Sequence, residues 1–239
     1  MQTANSRYLI SLNTFSQSLE LSLKAGAVLE SLGSDVNQLP NGDIEITHDD
    51  GGGSALLLAQ ALSRLQIRAT FFVITSKIGK YNYLSSQEIL QINAMGHRIG
   101  SHSDTHPSPF CELSELKIHS EVMRSKSILE ELLNTEVSTF AIPGGEIRRK
   151  TLEILSDPIL GLRRVYTSTP YRGIFRTIRG VEFAGRLCIE RTMCKSQIFK
   201  IMIGKTWFAR RLDYQARRLL RELKYSLRKI DLVTSSSGK

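Results

Sequence analysis

A chain of 239 residues is long enough for one α/β domain with a sizeable buried core. Its 41% hydrophobic and 23% charged residues exclude a largely disordered chain, and no stretch approaches the roughly 20 apolar residues of a membrane span. The net charge of +9 admits an anionic partner, while three cysteines (Cys111, Cys188, Cys194) without a CxxC spacing exclude a disulfide framework or a cysteine metal cage.

The segment Met1–Leu12 has no basic start followed by an apolar run. The expectation is therefore a cytoplasmic protein with no leader, at most peripheral to the inner membrane face. Ile44–Thr47 predicts a short strand, and Ser54–Leu65 an amphipathic helix. Ala69–Thr75 (ATFFVIT) is a continuous apolar and β-branched run, the signature of a strand buried on both faces. Ser85–Met95 predicts a helix closed by Gly96, His97–Ser101 a strand, and Leu113–Leu133 a long helix. Ser138–Ile142, Thr151–Leu155 and Arg164–Ser168 read as strand, helix and strand.

This alternation implies a parallel sheet with helices outside. Such folds collect reactive residues at the C-terminal ends of their strands. Asp49 and Asp50 follow the first strand, and His102 and His106 follow the third. Pro143, Gly144 and Gly145 follow the fourth, while Tyr166 and Thr167 end the fifth. Pro143, Gly145, Tyr166 and Thr167 are candidate substrate contacts.

Two imidazoles four residues apart, as in His102-Ser-Asp-Thr-His106, can meet one metal ion from a tight loop. Taken alone, that spacing also describes two surface histidines. Asp49-Asp50-Gly51-Gly52-Gly53 taken alone is an acidic, glycine-rich turn. Together, one carboxylate and two histidines give three protein ligands and leave coordination positions open. The second carboxylate of the pair is then available as a base.

These residues resemble the polysaccharide deacetylases that share the NodB-homology domain. Thr47-His48-Asp49-Asp50-Gly51 is similar to that family's strand ending Thr-Phe-Asp-Asp-Gly, and His102–His106 to its His-Ser/Thr-x-x-His. Ala69-Thr70-Phe71-Phe72, Gly96–Ser101 and Phe140–Gly145 add to the likeness, which covers Ile44 to Ser168. The resemblance implies a distorted, incomplete (β/α) barrel of parallel strands. It implies one divalent metal ion, zinc first, on Asp50, His102 and His106. It also implies Asp49 as general base, the Gly144 amide as oxyanion donor, and removal of N-acetyl groups from a carbohydrate. The rival readings are a catalytically impaired relative that binds metal and glycan, and an amidase acting on a non-sugar C–N bond.

Three departures stand out. Phe140 and Ala141 occupy the place of an arginine that buttresses the base in relatives, which puts the orientation of Asp49 in doubt. His48 replaces an aromatic residue. No histidine follows His119, so the family's late general acid has no counterpart; Glu182, Glu190, Arg191, a bound water or Asp49 itself once protonated are left as donors.

The last quarter is of another kind. Between Thr206 and Ile230 stand eight basic and two acidic side chains, with Phe208, Leu212, Leu219, Leu223, Leu227 and Ile230 spaced by three, four or seven. The pattern predicts a basic amphipathic helix. It divides the chain into a catalytic domain (1–205) and a helix with a frayed tail (206–239). The helix either packs on the domain or lies on an anionic membrane through 206–230; no motif for reading nucleic acid accompanies the charge.

Overall fold

The computed structural model describes residues 10–27, 29–30, 32 and 44–216. Seven strands form one sheet: β1 (Ile46–His48), β2 (Ala69–Val73), β3 (Arg98–Ser101), β4 (Thr139–Ala141), β5 (Arg164–Tyr166), β6 (Ile174–Ile178) and β7 (Val181–Ala184). Their order is β1-β2-β3-β4-β5-β7-β6. Every pair is parallel except β6 with β7, a hairpin that closes the sheet's last edge. The sheet curls into an incomplete barrel with its helices outside, as expected.

Alternation sorts the side chains. Phe71 and Val73 of β2 point outward into a core shared with α2 (Ala55–Arg64) and α3 (Ser86–Ala94). Phe72 points inward and meets Ala141, Tyr166 and Ala184. Gly100 of β3 makes room for it, since a Cβ there would sit 2.4 Å from the Phe72 ring. A second core lies between α4 (Glu115–Leu133), α5 (Arg149–Leu155) and β4, β5 and β7.

The floor of the barrel is ionic. Arg98 is paired with Glu30 through both guanidinium nitrogens, and Arg68 reaches the same carboxylate at 3.3 Å. Glu45 accepts hydrogen bonds from Thr70 (2.6 Å) and from the Tyr166 hydroxyl (2.7 Å). A helix outside the sequence expectations, α1 (Leu12–Lys24), joins Phe15 and Leu19 to Ile198, Ile201 and Met202 of α6 (Lys195–Met202) in the first core. The β6–β7 hairpin was not expected either. Its strands are short, and β6 alternates weakly, with Arg176 and Thr177 both exposed. Of the basic terminal segment, residues 207–216 are helical (α7), and 217–239 lie outside the described residues.

Candidate metal centre

The chain leaves β1 into a turn that glycines allow. Asp50 and Gly51 both take left-handed backbone angles, φ 73° and 65°. The turn is fastened from outside: the Gly53 amide donates to Asn82 O (2.7 Å), and the Leu84 amide donates to Gly51 O (2.9 Å). Asp50 consequently presents its carboxylate at the mouth of the barrel, with its side chain 59% exposed.

The loop after β3 is held more tightly still. The His102 amide donates to Val73 O (2.9 Å), and the His106 amide to Ser103 Oγ (2.9 Å). Glu121 of α4, almost fully buried, accepts from both the amide and the hydroxyl of Thr105, each at 2.8 Å. The Thr75 hydroxyl donates to Asp104 (2.8 Å). Ser103 and His106 carry positive φ, and such angles persist only where the surroundings enforce them.

These two loops bring Asp50, His102 and His106 together, with one ligand atom of each within 4.8 Å of the others. His102 Nδ1 lies 2.8 Å from Ala141 O, which can only accept, so Nδ1 carries a proton and Nε2, on the Asp50 side, is the ring atom that could ligate a metal ion. Nε2 of His102 is 3.3 Å, and Nε2 of His106 3.6 Å, from Asp50 Oδ1. Donors about 2.1 Å from a tetrahedral zinc stand roughly 3.4 Å apart, so the donor set fits such an ion in type and spacing.

Asp49 points elsewhere. Its carboxylate is gripped by both ends of one guanidinium: Arg186 Nη1 to Oδ1 at 2.6 Å and Nη2 to Oδ2 at 2.9 Å. The arginine is itself fixed by Thr47 Oγ1 (3.2 Å) and Thr167 O (3.3 Å), and lies against the Phe72 and Tyr166 rings. Burial pushes the Asp49 pKa up, but Arg186 and then His102 outweigh it and hold the carboxyl well below the usual carboxylate range. Where Phe140 and Ala141 offer no cation, the guanidinium on Asp49 comes instead from just beyond β7. Arg186 went unnoticed because β7 did. As a cation at the C-terminal end of a parallel strand, it obeys the rule that located the other site residues.

The remaining candidates divide. Gly144 is exposed at φ 69°, and its amide has no protein acceptor among the described residues. Gly145 is buried, and a Cβ on it would lie 1.8 Å from Ser168 Oγ, so its smallness serves packing. Pro143 is buried too. Tyr166 is 2% exposed and spends its hydroxyl on Glu45, and Thr167 is fully buried with its hydroxyl on Ala184 O. Neither side chain is presented to a ligand. Glu182, considered as a proton donor, pairs with Arg164 at the opposite end of its strand (2.7 Å).

A family model for polysaccharide deacetylases matches residues 37–164. The chain belongs to the polysaccharide deacetylase family. Among curated relatives of this member, the peptidoglycan-N-acetylglucosamine deacetylase PgdA of Listeria monocytogenes is 26% identical over 122 residues, 50% of this chain and 25% of that protein. The match thus spans about a quarter of that relative's length. Among solved structures, the Streptococcus pyogenes deacetylase PplD in complex with acetate superposes with a TM-score of 0.68 at 23% identity, covering 84% of this chain and 91% of that one. IcaB from Ammonifex degensii gives 0.67 at 22%, covering 85% and 92%. At those identities the likeness is one of fold.

Proposed function

We propose that this family member is a metal-dependent hydrolase that removes N-acetyl groups from a carbohydrate, with Asp50, His102 and His106 holding one divalent ion, zinc by donor chemistry. The observation that carries the reading is the Arg186-gripped Asp49 standing beside a convergent Asp/His/His set. Family membership and the similarity to the Listeria peptidoglycan-N-acetylglucosamine deacetylase support it.

An ion bound there would polarise the acetyl carbonyl and acidify water. The chain's own groups do the rest. Asp49, ionised at neutral pH, accepts the proton of the attacking water. Arg186 keeps it ionised and correctly turned. The exposed Gly144 amide donates to the oxyanion as the carbonyl becomes tetrahedral. A carboxyl whose proton affinity is held low is a strong acid once protonated, so Asp49 also serves as donor to the leaving amine. That assignment answers the absence of any histidine after His119.

The same absence favours a second reading, a relative that binds metal and glycan without turnover. Metal analysis of wild type beside Asp50→Ala and His102→Ala, paired with acetate release from N-acetylated oligosaccharides, separates them. Stoichiometric metal lost in both variants, with acetate from wild type only, is the expected result. Metal without acetate supports the second reading, or an amidase for a non-sugar C–N bond. No metal after reconstitution sinks both.

A further inference from the structure

The terminal basic segment has no part in that chemistry, and its described portion faces an unexpected way. If α7 were an ordinary packed helix, its apolar residues would lie against the domain. Only some do: Trp207 and Tyr214, with Arg210 on the same helical face, are half-buried, whereas Phe208 and Leu212 are not. The Trp207 indole N–H donates to Ile201 O (3.0 Å). Arg211 lies over the Tyr171 ring, 4.9 Å from its centroid. Phe208 and Leu212, one turn apart, are 74% and 52% exposed. They are the first members of the apolar series that the sequence continues at Leu219, Leu223, Leu227 and Ile230.

Two large apolar side chains held in water on an anchored helix are costly unless something covers them. Charge says what. Residues 206–230 carry eight basic and two acidic side chains. Near the start of α7 the described surface adds exposed Arg172 and Lys205: a Cβ on Gly204 would lie 3.1 Å from the Arg172 guanidinium, which places that side chain beside the turn before the helix. An exposed apolar pair beside positive charge matches an anionic lipid surface: the pair enters the acyl boundary, and the long basic side chains reach the headgroups. A second copy of this chain fits poorly, because pairing would bring two such basic segments together.

We propose that the solvent-facing Phe208–Leu212 edge of α7, with the exposed Arg172, Lys205 and Arg211 near it, docks the domain on anionic lipid bilayers. Neutral bilayers lack the electrostatic half of the attraction and bind weakly.

Flotation of the full chain with phosphatidylcholine vesicles, with and without phosphatidylglycerol, tests this. Binding is expected only with phosphatidylglycerol, and is expected to fade with added salt. Phe208→Ser/Leu212→Ser is expected to weaken it by about tenfold or more. Arg172→Glu/Lys205→Glu, which keeps the apolar pair, is expected to weaken it comparably. Unchanged thermal unfolding of both variants rules out misfolding as the cause. Absence of wild-type binding, equal binding to both vesicles, or full binding by the Phe208/Leu212 variant overturns the proposal. So does a wild-type dimer that this variant makes monomeric, which would make a second copy the occupant. Binding of a nucleic-acid duplex in preference to vesicles, unaffected by that variant, overturns it in favour of a polyanion.

Discussion

Arg186 and Asp49, 137 positions apart in sequence, form a paired two-bond ion pair at 2.6 and 2.9 Å at the mouth of the barrel. Its other described contacts are Thr47, Thr167 and the Phe72 and Tyr166 rings, and its side chain is 12% exposed. Its removal is therefore expected to disturb Asp49 and to leave Asp50, His102 and His106 in place.

Arg186→Met is expected to lower acetate release by about 10²–10⁴-fold, the usual worth of a positioned base, with metal stoichiometry unchanged. Arg186→Lys recovers only part of the loss, since an ammonium cannot make the paired contact. Steady-state kinetics beside metal analysis reads both. Equal loss of metal and activity would show that the arginine holds the fold instead.

Glu121 is the strut of the histidine loop. Glu121→Gln keeps its shape but cannot accept from both donors of Thr105, and metal affinity is expected to fall by about 10–100-fold while the fold persists. Competition with a chelator measures it.

The same residue gives a pH dependence. Burial raises the Glu121 pKa, but the Thr105 amide, then Lys117 and the Thr105 hydroxyl, outweigh it and hold it below normal. A depressed folded-state pKa contributes stability that is present above the unfolded value, about 4.3, and is lost as pH falls through the folded value. Acid unfolding of Glu121→Gln is therefore expected to be flatter than that of wild type below about pH 4. Parallel acid titrations by circular dichroism would reveal identical slopes if the strut were unimportant.

Gly145→Ala tests the turn that presents Gly144. Its φ of 66° and the 1.8 Å approach of Ser168 Oγ predict a loss of roughly 1–3 kcal/mol. Ser168→Gly in the same chain recovers only part, because the Ser168 backbone N would still be 2.6 Å away. Urea unfolding of the two single variants and the double variant completes the cycle.

On the barrel floor, Arg98→Met leaves the buried carboxylate of Glu30 with Arg68 alone. The expected cost is about 3–5 kcal/mol, read as a lower urea midpoint.

Strong local patterns made much of this legible. ATFFVIT lies on β2 as a fully buried strand, and the two ligand loops follow β1 and β3 where a parallel sheet puts them. What escaped depends on tertiary neighbours. Tyr166 looked like a rim residue because it ends a strand, yet strand alternation turns it inward onto Glu45, 121 positions earlier. Phe208 and Leu212 read as one face of an amphipathic helix. Which way that face turns was set by Trp207 and Arg211 gripping the domain.

The match to the family model ends at Arg164, whereas Arg186 follows the last parallel strand. The site is therefore modular along the chain. In the function proposed above, the stretch up to Arg164 supplies Asp50, His102 and His106, and the segment just after β7 supplies the cation on Asp49. A chain that kept the first stretch and lost the second would keep that donor set and lose the cation. Relatives that align only over the first should not be sorted into active and inactive by the residues it contains.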